Sequence, residues 1–328
     1  MQPITLRWLI PLTLVVMLLP ACSDTADDSA DTTLALTTTM VQTSTTTEAT
    51  TTTAPTTTTT TPATTTAAPT TTTPLQGTGP YEVATTVVSH PTTQDIWVTA
   101  PSDSDADEWG TWPMVFGTHG TGASGDGLAA TAAELASHGA VVFAPTYRST
   151  EGQYIEQDLE CAYRYSMSIA EDHGADLDQP ITSFGHSLGA GMALLGGLSE
   201  AAYGPGGTYD ACFTGVPRSD VIVAVAGCHY QYEGNQFPFD MTGFSNMDAD
   251  VVLVAGTEDD VCELWQSQDA TEELQAAGYE ARLVEIDGGN HANVVFYEIV
   301  DGEWLLRPDD PVGEEVAQVI LDAIEAAQ

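Results

Sequence analysis

The 328-residue chain contains no lysine, and its six basic residues are all arginine. Against them stand 47 acids, for a net charge of −41. The missing lysine excludes a P-loop, whose lysine grips the nucleotide phosphates, and Schiff-base chemistry, which needs a lysine amine. Five of the acids and Arg7 precede residue 75, so the remainder carries 42 acids and five arginines, a balance of −37. Such a surface repels phosphate backbones and anionic bilayers, which excludes nucleic acid as a partner. Residues 37–74 lack aromatics altogether and hold one charge, Glu48. Nothing in that tract offsets the entropy of ordering it.

No apolar run is long enough to span a bilayer. Trp8 to Leu19, preceded by Arg7, instead has the charged and apolar regions of a secretory signal. Leu19-Pro20-Ala21-Cys22 resembles a bacterial lipobox, which implies that Cys22 is lipidated and that the protein is held at the extracellular face of the cell membrane; a cleaved signal and free secretion is the alternative. The expected division is 1–22 as signal and lipobox cysteine, 23–78 as a disordered Thr/Pro-rich linker, and 79–328 as a single folded domain. Extended at about 3.1 Å per residue, the 38 residues from 37 to 74 reach on the order of 120 Å.

Past Cys22 the cysteines are Cys161, Cys212, Cys228 and Cys262, an even number suited to two disulfides in an exported protein. Three pairings are open. There is no C-x-x-C or H-E-x-x-H, so no metal site is expected. From residue 81, short β-branched runs alternate with helical patterns, which predicts an α/β domain: a mostly parallel sheet of eight strands with helices on both faces. The strands are expected near 81–88, 95–100, 114–118, 140–144, 181–185, 221–227, 251–255 and 281–286, the first two antiparallel.

Gly185-His186-Ser187-Leu188-Gly189 falls between a predicted strand and a predicted helix. A serine presented on so sharp a turn needs neighbours almost without side chains two residues before and after it, and the glycines meet that need. A serine nucleophile also needs a base, itself oriented by an acid. Beyond the strand at 251–255 the chain reads Gly256-Thr257-Glu258-Asp259-Asp260, and beyond the next, Gly288-Gly289-Asn290-His291. Of seven histidines only His291 follows that acidic run, which makes it the candidate base. Asp259 is the candidate acid by its spacing from Gly256, with Asp260 the alternative. The loop Gly117 to Gly122 follows a strand where a second oxyanion donor is expected, so the backbone N–H groups of Thr121 and Leu188 are assigned to the oxyanion hole. His119 is expected to hold that loop.

Gly120 to Gly125 also satisfies G-x-G-x-x-G, a dinucleotide signature, but no acid lies in Ala140 to Thr150 to hold a ribose. Only Arg148, as a contact for a 2′-phosphate, keeps that reading open.

Taken together, Gly79-Pro80-Tyr81, His119-Gly120, Leu135 to Gly139 and Gly185 to Gly189 resemble the α/β-hydrolase superfamily, and most closely its dienelactone hydrolase, chlorophyllase and cutinase-like branch. The resemblance implies the α/β-hydrolase fold and a serine esterase with Ser187, Asp259 and His291 as catalytic residues, no cofactor, and a small or lipid-like ester as its partner. A monomer touching the membrane only through its lipid is expected. Two alternatives remain: acyl transfer by the same triad to an envelope acceptor, and a stalked binding protein on a hydrolase fold. The aromatic stretch Tyr230, Tyr232, Phe237, Phe239 and Phe244 is the candidate substrate pocket or cap, and a Cys228–Cys262 bridge would steady it beside the acid.

A lysine-free acidic surface loses little when its few ion pairs are screened. The protein is expected to stay folded and soluble in molar sodium chloride, as followed by circular dichroism and light scattering; precipitation there contradicts this.

Overall fold

The computed structural model describes residues 70–72, 75–89, 95–102, 111–199, 218–229 and 244–328, all within one unit, Thr64–Gln328. Cys22, the signal, most of the linker, Cys212, and Tyr230, Tyr232, Phe237 and Phe239 lie outside the described residues.

Five strands are short runs buried throughout or nearly so: β4 (Met114–Thr118), β5 (Val141–Pro145), β6 (Thr182–His186), β7 (Val221–Val225) and β8 (Asp250–Gly256). With β9 (Ala281–Ile286) they form the parallel part of the sheet. Strands β2 (Val83–Ser89) and β3 (Asp95–Pro101) join antiparallel at the other side, as the missing helix between them predicts. The order is β1-β2-β3-β5-β4-β6-β7-β8-β9.

Alternation within the buried strands sends residues to two helical layers. Val115, Val223, Val225, Val252 and Val254 meet α1 (Ala129–Ser137) and α5 (Pro311–Ala327), where Leu135, Val316 and Ile320 are buried. On the opposite face Met114, Phe116 and Phe143 pack on Ile155, Leu159 and Tyr163 of α2 (Gly152–Ile169). There too Ile222, Ala224 and Leu253 pack on α3 (Leu188–Leu198) and α4 (Leu264–Ala277). Gly139 and Gly278 end their helices at φ +96° and +98°, left-handed values that a side chain resists. Helix α5 begins at Pro311. Pro311 needs no amide partner in the first turn, and the Asp310 side chain accepts from the Val312 N–H at 2.9 Å.

Two features depart from the expected layout. A ninth strand, β1 (Thr70–Thr72), pairs antiparallel with Thr85 to Val87 of β2. Nearby, Thr78 donates both its N–H and its hydroxyl to the Glu134 carboxylate. The described fold therefore includes residues before 79, where the open edge of β2 offers backbone partners that composition alone does not reveal. After His291 comes a hairpin, β10 (Tyr297–Val300) and β11 (Glu303–Leu306), turned by Asp301-Gly302 at φ +55° and +84°.

The strand order reverses at β4, between β5 and β6, so a crevice opens at the carboxyl ends of β4 and β6. The loops carrying His119 and Ser187 begin there. Ile320 is fully buried between the α5 layer and the sheet. Ile320→Ala is expected to cost about 2–4 kcal/mol of unfolding free energy in a denaturant titration; a loss below half of that would mean the layer is loosely packed.

Candidate active site

Ser187 sits between β6 and α3 at φ +58° and ψ −120°, a conformation a side chain rarely takes. The surroundings impose it. A Cβ on Gly185 would lie 2.0 Å from the Gly189 carbonyl oxygen, and one on Gly189 would lie 2.0 Å from the Thr118 carbonyl oxygen. No larger residue fits either position. The Ser187 N–H donates to Val225 O at 3.0 Å, and the Thr118 hydroxyl, 2.8 Å from Gly189 O, ties the far side of the turn to β4. Leu188 opens α3, so its N–H has no acceptor one turn earlier. Gly120 approaches so closely that a Cβ there would come 3.1 Å from Ser187 Cβ, which brings the Gly120–Thr121 backbone alongside the hydroxyl.

The structure brings the three expected side chains together. His291 Nε2 is 3.1 Å from Ser187 Oγ, and Nδ1 is 2.9 Å from Asp259 Oδ2. The carboxylate fixes the tautomer: Nδ1–H donates to Asp259, leaving Nε2 to accept from the serine hydroxyl. Among the three adjacent acids only Asp259 is buried; Glu258 and Asp260 are exposed. Asp259 Oδ1 accepts from the N–H groups of Val261 at 2.9 Å and Cys262 at 2.8 Å, so the carboxylate is held at both oxygens. Cys262 is in turn bonded to Cys228 just past β7, with a Cα–Cα distance of 4.6 Å. The expected bridge beside the acid is present. Cys161 is also disulfide-bonded.

The acid and histidine loops are interlocked. Glu258 N–H donates to Gly289 O at 2.8 Å, and Gly288 N–H donates to Thr257 Oγ1 at 2.9 Å. Asn290 Oδ1 receives the N–H groups of Ala292 and Asn293, while Asn293 Oδ1 receives that of Asn290. His186, the variable residue of G-x-S-x-G, was not singled out by its sequence context, yet its Nε2 lies 2.8 Å from the His291 carbonyl oxygen, to which it donates. It ties the strand that carries Ser187 to the backbone of His291.

His119 plays the loop-holding part expected of it. Its Nδ1–H donates to Gly120 O at 2.8 Å, its Nε2 accepts from the Tyr147 N–H at 3.3 Å, and its ring stacks on Tyr147 at 4.0 Å. The dinucleotide alternative finds no support in the same loop. Gly122 and Gly125 donate their amides to Ser149 and Thr146, and a Cβ on Gly125 would meet Ala144 O at 2.2 Å. Arg148 forks onto the buried Asp158 carboxylate at 2.8 and 2.7 Å. Gly125 serves close packing, and Gly122 serves a left-handed backbone turn at φ +76°.

A cleft of about 660 Å³ opens over Ser187 and His291. It is lined by the loop from His119 to Leu128, with Thr121, Ser124 and Asp126, and by Val261, Val295 and the hairpin residues Tyr297, Ile299 and Trp304. Phe244, the only described member of the expected aromatic pocket, packs instead with the α3–α4 layer. The wall supplied by β10–β11 was missed in the sequence, although Asp-Gly between apolar runs is the hairpin signal that marks it.

No protein-family model and no curated protein sequence matches the chain. Solved structures do. A truncated carbohydrate esterase from gut microbiota is similar at TM-score 0.54 and 16% identity, covering 76% of this chain and 99% of that one. Esterase B from Lactobacillus rhamnosis is similar at TM-score 0.59 and 16% identity, covering 77% and 88%. Esterase 2 from Thermogutta terrifontis, in its apo form, is similar at 0.53 and 15%, covering 73% and 92%. At these identities the likeness establishes the fold: the chain has the α/β-hydrolase fold.

Burial sets the charge state of several groups near and below the cleft. It lowers the pKa of His186 to about 3, with neighbouring His291 adding to the effect, and that of His119 and of His229 to about 4. His173 is lowered as well. All have an ordinary value of 6.5, so below that pH the unfolded chain binds protons that the folded one refuses, and stability falls as pH drops toward 4. Glu160 acts oppositely. Its carboxyl is buried, raised by desolvation to about 9 and protonated in the fold, so it removes stability as pH rises from about 4.5 to 9; Glu156 is shifted in the same direction. The large downward shifts of His186, His119 and His229 outweigh the upward shift of Glu160 between pH 4.5 and 6.5, and from pH 6.5 to 9 the Glu160 effect remains. The melting temperature, measured by scanning calorimetry, is expected to peak near neutral pH and fall on both sides; a monotonic rise from pH 5 to 9 contradicts this.

Proposed function

We propose that the protein is an exported serine hydrolase of carboxylic esters. The observation that carries this reading is the continuous hydrogen-bonded line from Ser187 Oγ through His291 to a buried Asp259, at 3.1 and 2.9 Å. In this mechanism the Ser187 hydroxyl attacks the ester carbonyl while His291 Nε2 takes its proton. Asp259 stabilises the imidazolium that results. The N–H groups of Leu188 and Thr121 receive the oxyanion, aided by the positive end of α3. Collapse of the tetrahedral species expels the alcohol, which takes the proton from His291. Water, deprotonated by the same His291, then attacks the acyl-enzyme and releases the acid. The residues named need no metal or organic cofactor for these steps.

Support for ester chemistry also comes from the shared fold of proteins described as esterases. For export, the support is the signal-like N-terminus and the Cys228–Cys262 disulfide, a bond that persists in oxidising compartments. Anchoring through a lipid on Cys22, with residues up to the sheet edge as a tether, is part of the same proposal, as is a monomeric state. Among the described residues no helix is long and apolar enough to cross a membrane.

The full chain is expected to hydrolyse simple acyl esters, and Ser187→Ala to lower kcat by at least about a thousandfold. Equal rates from the two proteins refute the assignment and favour a binding protein on a hydrolase fold. Product analysis with an added alcohol settles the remaining choice: transfer products dominating in water would make the enzyme an acyltransferase.

A further inference from the structure

The side chains nearest His291 in the cleft identify the half of the ester that they meet. In the acylation step His291 hands its proton to the departing alcohol, so that alcohol leaves beside the imidazole. The Trp304 ring lies 6.4 Å from the His291 ring and 5.8 Å from that of Tyr297, nearly perpendicular to the former. Its cross-strand partner on the hairpin is Ile299. Trp304 is 46% exposed and Ile299 48%, so this wall has apolar area still to bury.

The same cleft carries polar groups. Thr121, Ser124 and Asp126 line it, and Asp126 is exposed, with the Ser124 hydroxyl donating to its carboxylate. The Asp126 charge reaches across to the Tyr297 hydroxyl, whose pKa is raised by burial first and by this carboxylate second. Among the described residues no lysine or arginine lines the cleft. An alkyl chain laid along the cleft would cover the Asp126 carboxylate without offering it a donor. An anionic alcohol would find no cation. A neutral pyranose fits both sides, since its C–H face is apolar and flat enough for an indole, and its edge carries hydroxyls that a carboxylate can accept.

Building on the ester-hydrolase reading, we infer that the alcohol half of the substrate is a neutral sugar stacked on Trp304, with Asp126 accepting its hydroxyls: the enzyme removes acyl groups from carbohydrate hydroxyls. Trp304 then acts only before the alcohol leaves. Release of the acyl group from Ser187 proceeds after the sugar has gone and does not involve Trp304.

Three acetate esters test this on the full chain, because all give the same acetyl-enzyme: an acetylated methyl glucoside, hexyl acetate and ethyl acetate. The sugar ester is expected to exceed hexyl acetate in kcat/KM by about tenfold or more, and Trp304→Ala to lower the ratio of sugar ester to ethyl acetate by about tenfold. Hexyl acetate matching or exceeding the sugar ester overturns the inference, as does a Trp304→Ala variant that lowers both activities in equal proportion, the result of a merely structural role. Binding to Ser187→Ala separates this inference from the hydrolase reading. Saturation-transfer NMR is expected to show the glucoside ring in contact with that variant and not with one also carrying Trp304→Ala. If that pattern holds while the unmodified chain turns over no ester, the sugar site stands and the hydrolase reading falls. If the glucoside contacts neither variant, the sugar site falls, whatever the turnover of simple esters.

Discussion

The backbone at Ser187 is the constraint on which the site depends. A residue with a side chain is held at φ +58° because β6, β4 and α3 meet too tightly for any other path, with Gly185 and Gly189 each within van der Waals overlap of a carbonyl if a Cβ were added. That close approach fixes two things at once. It lifts the hydroxyl out of the sheet edge toward His291, and it sets the first turn of α3 with its unpaired amides behind the same atom. Strain of this kind persists only where surrounding structure over-determines it, and here Thr118, Val225 and Gly120 all press on the turn.

Around that fixed point the other loops are positioned by short polar contacts rather than by a shared element. Asp259 is gripped at one oxygen by two amides, one of them from a residue in a disulfide. His291 is held from behind by His186, and its loop is stitched to the acid loop through Gly289 and Thr257. Burial keeps His186 and His119 neutral, so each presents one donor nitrogen and one acceptor nitrogen near neutral pH. Among the described residues, the acids at the cleft are Asp126 in its lining and, behind His291, the hydrogen-bonded Asp259.

Most of the sheet was legible because its strands are short, buried on both faces and separated by helices with the correct period and left-handed glycine stops. The nucleophile turn was legible because two glycines at fixed offsets have a steric cause. The choice of His291 rested on chain order, and that of Asp259 on spacing. Less was legible in the cleft wall. The aromatic residues after Cys228 drew attention by composition, whereas the described wall comes from Tyr297, Ile299 and Trp304 on a hairpin whose Asp-Gly turn was a local signal left unused. The edge strand at Thr70–Thr72 had no signal in its own composition, since its partners are the open backbone groups of β2.

By itself the sequence determined the fold class, the sharp glycine-flanked turn at Ser187 and the chain order of Ser187, Asp259 and His291, because each follows from periodicity or fixed offsets, which are local. Only the tertiary structure decided that Asp259 and not Asp260 turns inward, that His186 supports the base, and that Trp304 overhangs it. Those outcomes depend on which loops meet in space, with Asp259 and His291 32 residues apart and His186 and His291 105, and a contact of that kind has no period in the sequence to announce it.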